Sequence, residues 1–263
     1  MGVFSFLKKS NNLFYPGCMG YYKFNEQFVM YQKIFDRLGI DYTVIDKKIC
    51  CGLPALEAGY DNEARKLCRR NFEIFKEEKI TDIITCCPEC TKMFSYDYMR
   101  LLPDWNINTT NIWALILSIL EARPRLIKSK KNEKIGIQDS CYLGRYLGNY
   151  SSPRLILNIL GYEVVEIKDN REDAICSGSC GGLPRTNPEL SKRCAEDRLM
   201  SAKRRGIKKL VVFSLYDYKL LKDNSKNSRI EILDFSEVLA DSLGINELSD
   251  DSSDEVGVEI EDQ

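Results

Sequence analysis

Shifted forward by about 126 residues, the first half of this chain falls on its second half. Cys50 lands on Cys176 and Cys68 on Cys194, and Cys18 meets Cys141 at a shift of 123. Gly20-Tyr21 is echoed by Gly144-Arg145-Tyr146, and the helix-patterned stretch 61–80 by 187–207. Each stretch runs into a short apolar strand, 82–86 in the first copy and 209–213 in the second. A period this long means two copies of one domain, because solenoid units are far shorter. Within the first copy, 13–18 reads as a strand ending at Cys18, 24–38 as an amphipathic helix, and 42–46 as a strand leading into the Cys50-Cys51-Gly52 loop. In the second copy, 134–141, 163–167 and 209–213 take the strand roles. This alternation predicts an α/β fold of two tandem, similar parallel-sheet domains. The cysteine-bearing loops then lie at the carboxyl ends of strands, where such sheets bind ligands. The expected boundaries are 1–123 and 124–243, followed by an acidic tail at 244–263 that is too polar to bury a core.

The cysteines narrow the chemistry. There are 11 of them and no histidine among 263 residues, so imidazole ligands and His-based proton relays are excluded. Any transition-metal site must lean on thiolates, which points to iron–sulfur clusters or zinc. A hydrophobic share of 44% and a charged share of 29% describe a globular chain, and a net charge of −1 gives no field that asks for nucleic acid. The first residues have neither a signal-peptide core nor a myristoylation pattern, since Phe6 stands where Ser or Thr is needed. The most apolar run, 112–120, is too short for a transmembrane segment and reads as a buried helix. A cytoplasmic location is the expectation, and there structural disulfides are disfavoured.

Cys50 and Cys51 stand side by side. A disulfide between such neighbours is strained, because their Cα atoms are only about 3.8 Å apart. The pair makes sense if an outside group needs both sulfurs. Cys18, Cys50, Cys51, Cys87 and Cys90 come from three loops with the spacing C-x31-CC-x35-C-x2-C, and Cys86 is an extra neighbour. Gly52 lets the backbone pass close to a bulky ligand. Structural zinc would leave a fifth thiolate idle. A thiol–disulfide pair at Cys87 and Cys90 would leave the other three unexplained. A ferredoxin run is absent. A larger iron–sulfur assembly suits the five thiolates best, with a zinc-stabilised interaction protein and a cluster-free Cys87/Cys90 oxidoreductase as alternatives.

The pattern, with YPGC, CCGLPA, CPEC and the later DSCYLGRY, resembles the cysteine-rich CCG domain of the B-type heterodisulfide reductase subunits and related iron–sulfur subunits. The likeness covers roughly residues 12–223. It implies a noncubane [4Fe-4S] cluster on Cys18, Cys50, Cys51, Cys87 and Cys90. It also implies electron transfer between a ferredoxin-like or flavoprotein partner and a disulfide or quinone substrate. Arg145 lies in a loop that resembles the family's CYLGR, which implies a substrate-site role.

The second copy is worn. Cys141 and Cys176 remain, Ser177 replaces the second cysteine of the doublet, and Ser214 and Asp217 replace the closing pair. Cys180 is new relative to the family pattern. Cys141, Cys176 and Cys180 with Asp217 as an oxygen ligand would suit zinc. A differently ligated cluster and a vestigial domain are the other options. Cys68, Cys194 and Cys86 read as small core residues. Lys47 and Lys48 read as solvated charges, and Tyr21, Tyr22 and Tyr146 as aromatics that exclude water around a site.

Overall fold

The structure is a computed structural model that describes residues 11–45 and 49–245. Lys47, Lys48 and the tail from residue 246 onward lie outside the described residues. The expected α/β class is what the chain adopts. Strands β1 (Asn12–Tyr15), β2 (Asp82–Thr85) and β3 (Asn108–Asn111) form one parallel sheet in the order β1-β2-β3. Strands β4 (Lys134–Ile137), β5 (Glu163–Glu166), β6 (Lys209–Val212) and β7 (Glu231–Asp234) form a second parallel sheet in the order β5-β4-β6-β7.

The repeat is visible in these orders. Thr43 bridges Leu13 in parallel on the free side of β1, with Phe14 N to Thr43 O and Thr43 N to Asn12 O both at 2.8 Å. Thr43 therefore takes the place that β5 takes beside β4. The stretch 42–46 was expected as a full strand; among the described residues it supplies only this bridge. Likewise 13–18 does not run on to Cys18. The strand stops at Tyr15, because Pro16 brings no backbone N–H and Gly17 turns to φ +78°. Cys18 instead opens helix α1 (Gly17–Tyr22).

Helices α2 (Asn25–Leu38), α3 (Leu53–Glu57), α4 (Asp61–Glu77), α5 (Pro88–Lys92), α6 (Tyr98–Leu101) and α7 (Ile112–Ala122) complete the first half. The second half carries α8 (Ser151–Ile159), α9 (Leu183–Thr186), α10 (Pro188–Arg204), α11 (Leu215–Asn224) and α12 (Phe235–Leu243). The expected buried helix at 112–120 is α7, with Ile112, Trp113, Ile116 and Leu120 fully inside. No helix among the described residues is long and apolar enough to cross a membrane.

The two halves share one core. Phe14, Phe35, Ile84 and Trp113 belong to the same buried cluster as Ile137, Leu157, Phe213, Phe235 and Leu239. Helix α7 packs on α8, and α12 packs on α2. Helix α12 begins with a capping box: Asp234 Oδ1 accepts the Ser236 N–H at 2.9 Å, and Glu237 Oε2 accepts the Asp234 N–H at 2.8 Å. Asp234 is buried, and burial pushes its carboxyl up to about 6. The folded chain thus binds this proton more tightly than the unfolded chain. The stability it contributes is full below the ordinary carboxylate range and is lost as pH rises through about 6, a cost of roughly 3 kcal/mol at neutral pH. Asn caps as well as Asp does and carries no charge. Asp234→Asn is expected to be more stable than the parent by about 1–3 kcal/mol above pH 7 and equal to it near pH 4. Urea titrations across that range check this; a difference independent of pH would contradict it.

Candidate metal centre

Each cysteine loop is held in place by ordinary polar contacts. The Cys50-Cys51-Gly52 loop is pinned through its backbone. Asn71 Nδ2 donates to Cys50 O at 2.8 Å, Tyr98 Oη to Cys51 O at 3.2 Å, and Tyr15 Oη to Ile49 O at 2.6 Å. Gly52 takes φ +94° to start α3, and its N–H points at Cys50 Sγ at 3.5 Å. The CPEC loop is fixed by Cys87, which caps α5 by accepting the Cys90 N–H on its sulfur at 3.4 Å. Gly17 is needed for close approach: a Cβ there would lie 3.1 Å from Cys87 Cβ and 3.4 Å from Cys90 Sγ.

The structure brings the five predicted thiols together. Cys90 Sγ donates to Cys51 Sγ at 3.5 Å, and Cys18 is hydrogen-bonded to Cys50, which is hydrogen-bonded to Cys51. All are free thiols, with Cys51, Cys87 and Cys90 buried and Cys18 and Cys50 partly exposed. The electrostatics are those of crowded sulfurs. Hydrogen bonds from Cys50 and Cys90 pull the Cys51 thiol down to about 6. Hydrogen bonds to Cys51 and Cys87, then burial, push Cys90 well up. One thiolate in such a set makes the next costlier unless a cation joins them. Among the described residues, no three or more Cys, Asp or Glu side chains stand in the geometry of a single metal ion.

Cys68 and Cys86 stand beside this set but direct their thiols elsewhere, Cys68 to Cys51 O at 4.0 Å. Cys68 and Cys86 are fully inside, and Cys194 is partly exposed on α10. Cys86 directs its thiol to Pro16 O at 3.8 Å.

The second half repeats the scaffold with different chemistry. Gly178 N–H points at Cys176 Sγ at 3.3 Å, as Gly52 does at Cys50. Ser214 caps α11 by accepting the Tyr216 N–H at 3.3 Å, the role Cys87 has at α5. Cys141 is hydrogen-bonded to both Cys176 and Cys180, so these three thiols also converge. Asp217 is turned to hydroxyls: Ser177 Oγ and Ser179 Oγ both donate to its Oδ1, the latter at 2.7 Å. Burial pushes the Asp217 carboxyl up.

Two residues that sequence reasoning passed over tie the two sets. Glu89, between Pro88 and Cys90 in CPEC, is buried between them. Its Oε1 accepts from Ser214 Oγ at 2.7 Å and Cys180 Sγ at 3.4 Å, and its Oε2 from Cys87 Sγ at 3.2 Å. Burial, then Asp217, pushes its carboxyl up. Tyr216 Oη meets Cys18 Sγ at 3.1 Å across the halves. Its place beside the worn closing pair of the second copy was the available signal.

A cavity of about 550 Å³ opens at this seam. Cys18, Cys51, Cys90 and Cys180 reach its wall, with Lys23, Arg185 and Lys219 as its cations. Arg145, expected at the substrate site, is exposed and donates to Ala174 O at 2.7 Å; it is not part of the wall. Tyr21 is buried, and Tyr146 is exposed and stacks on Tyr142.

Known proteins resemble this chain over much of its length. The chain is 25% identical over 246 residues to the D-type subunit of the dihydromethanophenazine:CoB–CoM heterodisulfide reductase of Methanosarcina barkeri, covering 90% of this chain and 60% of that protein. This heterodisulfide reductase relative is thus of the D type, whereas the sequence motifs resemble the B type. The chain is 28% identical over 182 residues to the EtfAB:quinone oxidoreductase of Syntrophomonas wolfei, covering 66% of this chain and 25% of that protein. It is 24% identical over 190 residues to lactate utilization protein A of an Exiguobacterium species, covering 68% and 75%. The chain therefore spans only part of the first of these relatives. Among solved structures, Picrophilus torridus aspartate racemase aligns over 89% of this chain and 95% of its own at 13% identity and a TM-score of 0.39, too loose to bear on function. The cysteine-rich CCG domain matches at residues 12–95 and again at 135–214, and the chain belongs to that family.

Proposed function

We propose that this chain is an iron–sulfur redox subunit, with a noncubane [4Fe-4S] cluster held by Cys18, Cys50, Cys51, Cys87 and Cys90. The observation that carries this reading is the convergence of five free thiols from three loops, of which Cys18, Cys51 and Cys90 reach the wall of one cavity. The residues fit such a group. All donors are soft sulfur, and Gly17 leaves the space beside Cys87 and Cys90 that a side chain would fill. When bound, the cluster supplies reversible electron transfer at thiolate-ligated iron. The protein's own residues do the rest. Asn71, Tyr98 and Tyr15 fix the loop, while Cys51, Cys87 and Cys90 are buried in a cluster with Tyr15, Met93, Phe94 and Tyr98 that keeps water from that side. Lys23, Arg185 and Lys219 outnumber Glu57 and Glu89 on the cavity wall, which favours an anionic acceptor.

The electrons come from a ferredoxin-like or flavoprotein partner and go to a disulfide or a quinone. Cys180 on the cavity wall favours the disulfide. The test is anaerobic purification with iron, acid-labile sulfide and zinc counted per chain, and EPR of the oxidised protein. About four irons with as many sulfides are expected. About eight would assign a cluster to the second set as well, and zinc alone would overturn the proposal.

A further inference from the structure

Cys180 has no counterpart in the first repeat: Gly52 leads straight into Leu53-Pro54 of α3, whereas Ser179, Cys180, Gly181 and Gly182 stand between Gly178 and the matching Leu183-Pro184 of α9. Its thiol nevertheless sits in the seam between the two sets. It reaches the cavity wall, touches Cys141, and contacts Ser179 Oγ at 3.2 Å and Glu89 Oε1 at 3.4 Å. Cys141 and Cys176 lie behind it and do not reach the wall. The groups that would complete a metal site around these three thiols are already engaged. Ser177 and Ser179 are bonded to Asp217, and Ser214 to Glu89. What remains is one thiol facing the cavity with a second in contact behind it, the arrangement of an attacking and a resolving cysteine.

We infer that Cys180 and Cys141 form a dithiol centre that exchanges with a small-molecule disulfide in the cavity. This deepens the disulfide branch of the proposed function and rests on it. The Cys180 thiolate attacks the substrate disulfide, forming Cys180–S–S–R and releasing one R–S⁻. The Cys141 thiolate then attacks the Cys180 sulfur, forming the Cys141–Cys180 disulfide and releasing the second R–S⁻. The substrate is reduced by two electrons and the protein dithiol is oxidised by two. Two electrons from a ferredoxin-class donor and two protons restore the dithiols.

The test exposes the full-length, anaerobically purified protein to bis(2-hydroxyethyl) disulfide. It is then blocked with N-ethylmaleimide, and non-reduced tryptic peptides are read by mass spectrometry. The expected product joins peptide 135–145 to peptide 172–185. This link persists in Cys176→Ser, vanishes in Cys180→Ser, and gives way to a hydroxyethyl adduct on Cys180 in Cys141→Ser. Iron is counted on every variant and is expected to stay at the parent level, which shows that each has folded around the first site. Full alkylation of Cys141 and Cys180 after exposure, or an adduct confined to other cysteines, would overturn the inference. So would iron or zinc that falls in Cys141→Ser and Cys180→Ser while the first site keeps its complement. A link formed in protein that carries no iron would sink the cluster proposal and leave this inference standing.

Discussion

Replacing Cys51 by serine is expected to drop iron from about four per chain to below one, with acid-labile sulfide falling alongside it. Cys51 sits at the centre of the first set: buried, hydrogen-bonded by Cys50 and in contact with Cys90 at 3.5 Å. It is also the thiol that its neighbours hold most readily as a thiolate, at about 6. A serine hydroxyl stays protonated at neutral pH and is a harder donor, so the site loses its best-prepared ligand. Cys68→Ser is the matched control. Cys68 is as deeply buried, its thiol points at Cys51 O at 4.0 Å, and burial pushes it up to about 11. That substitution is expected to cost about 1 kcal/mol of stability and to leave the iron count unchanged. Equal iron loss in both variants would mean that folding of the loop, not ligation, sets the iron content, and would remove Cys51 from the ligand set.

The thiol loops were legible because cysteine spacing survives without knowledge of the fold. Cys18, Cys50, Cys51, Cys87 and Cys90 lie far apart in sequence, yet the α/β alternation alone places their loops at one end of a parallel sheet. The repeat was legible for the same reason. Strands β3 and β7 were not. NTTN and EILD lie at sheet edges and lack the apolar run that marks a buried parallel strand. Arg145 was placed by motif likeness, and its guanidinium instead holds Ala174 O. Glu89 and Tyr216 were missed because each acts across the seam, and sequence periodicity reports that a residue is inside without reporting against what.

That limit bears most on the relation between the halves. A repeat suggests separable units, whereas the core joins Trp113 on α7 to Phe213 beyond β6, with ring centroids 6.4 Å apart. Trp113→Ala is therefore expected to destabilise the whole chain by about 3–5 kcal/mol. Protection of amides in β2 and in β6 should fall together by hydrogen exchange, in a single urea transition. Trp113→Phe separates packing from polarity. The indole N–H has no hydrogen-bond partner among the described residues, so phenylalanine removes volume and an unsatisfied donor at once. Its cost should be well under half that of alanine. Loss of protection confined to β2 would mean the halves fold independently and meet only at the surface of the cavity. In that case the convergence of the two thiol sets would depend on docking between domains. A shared core instead makes the seam, with Glu89 and Tyr216 in it, as stable as the fold itself.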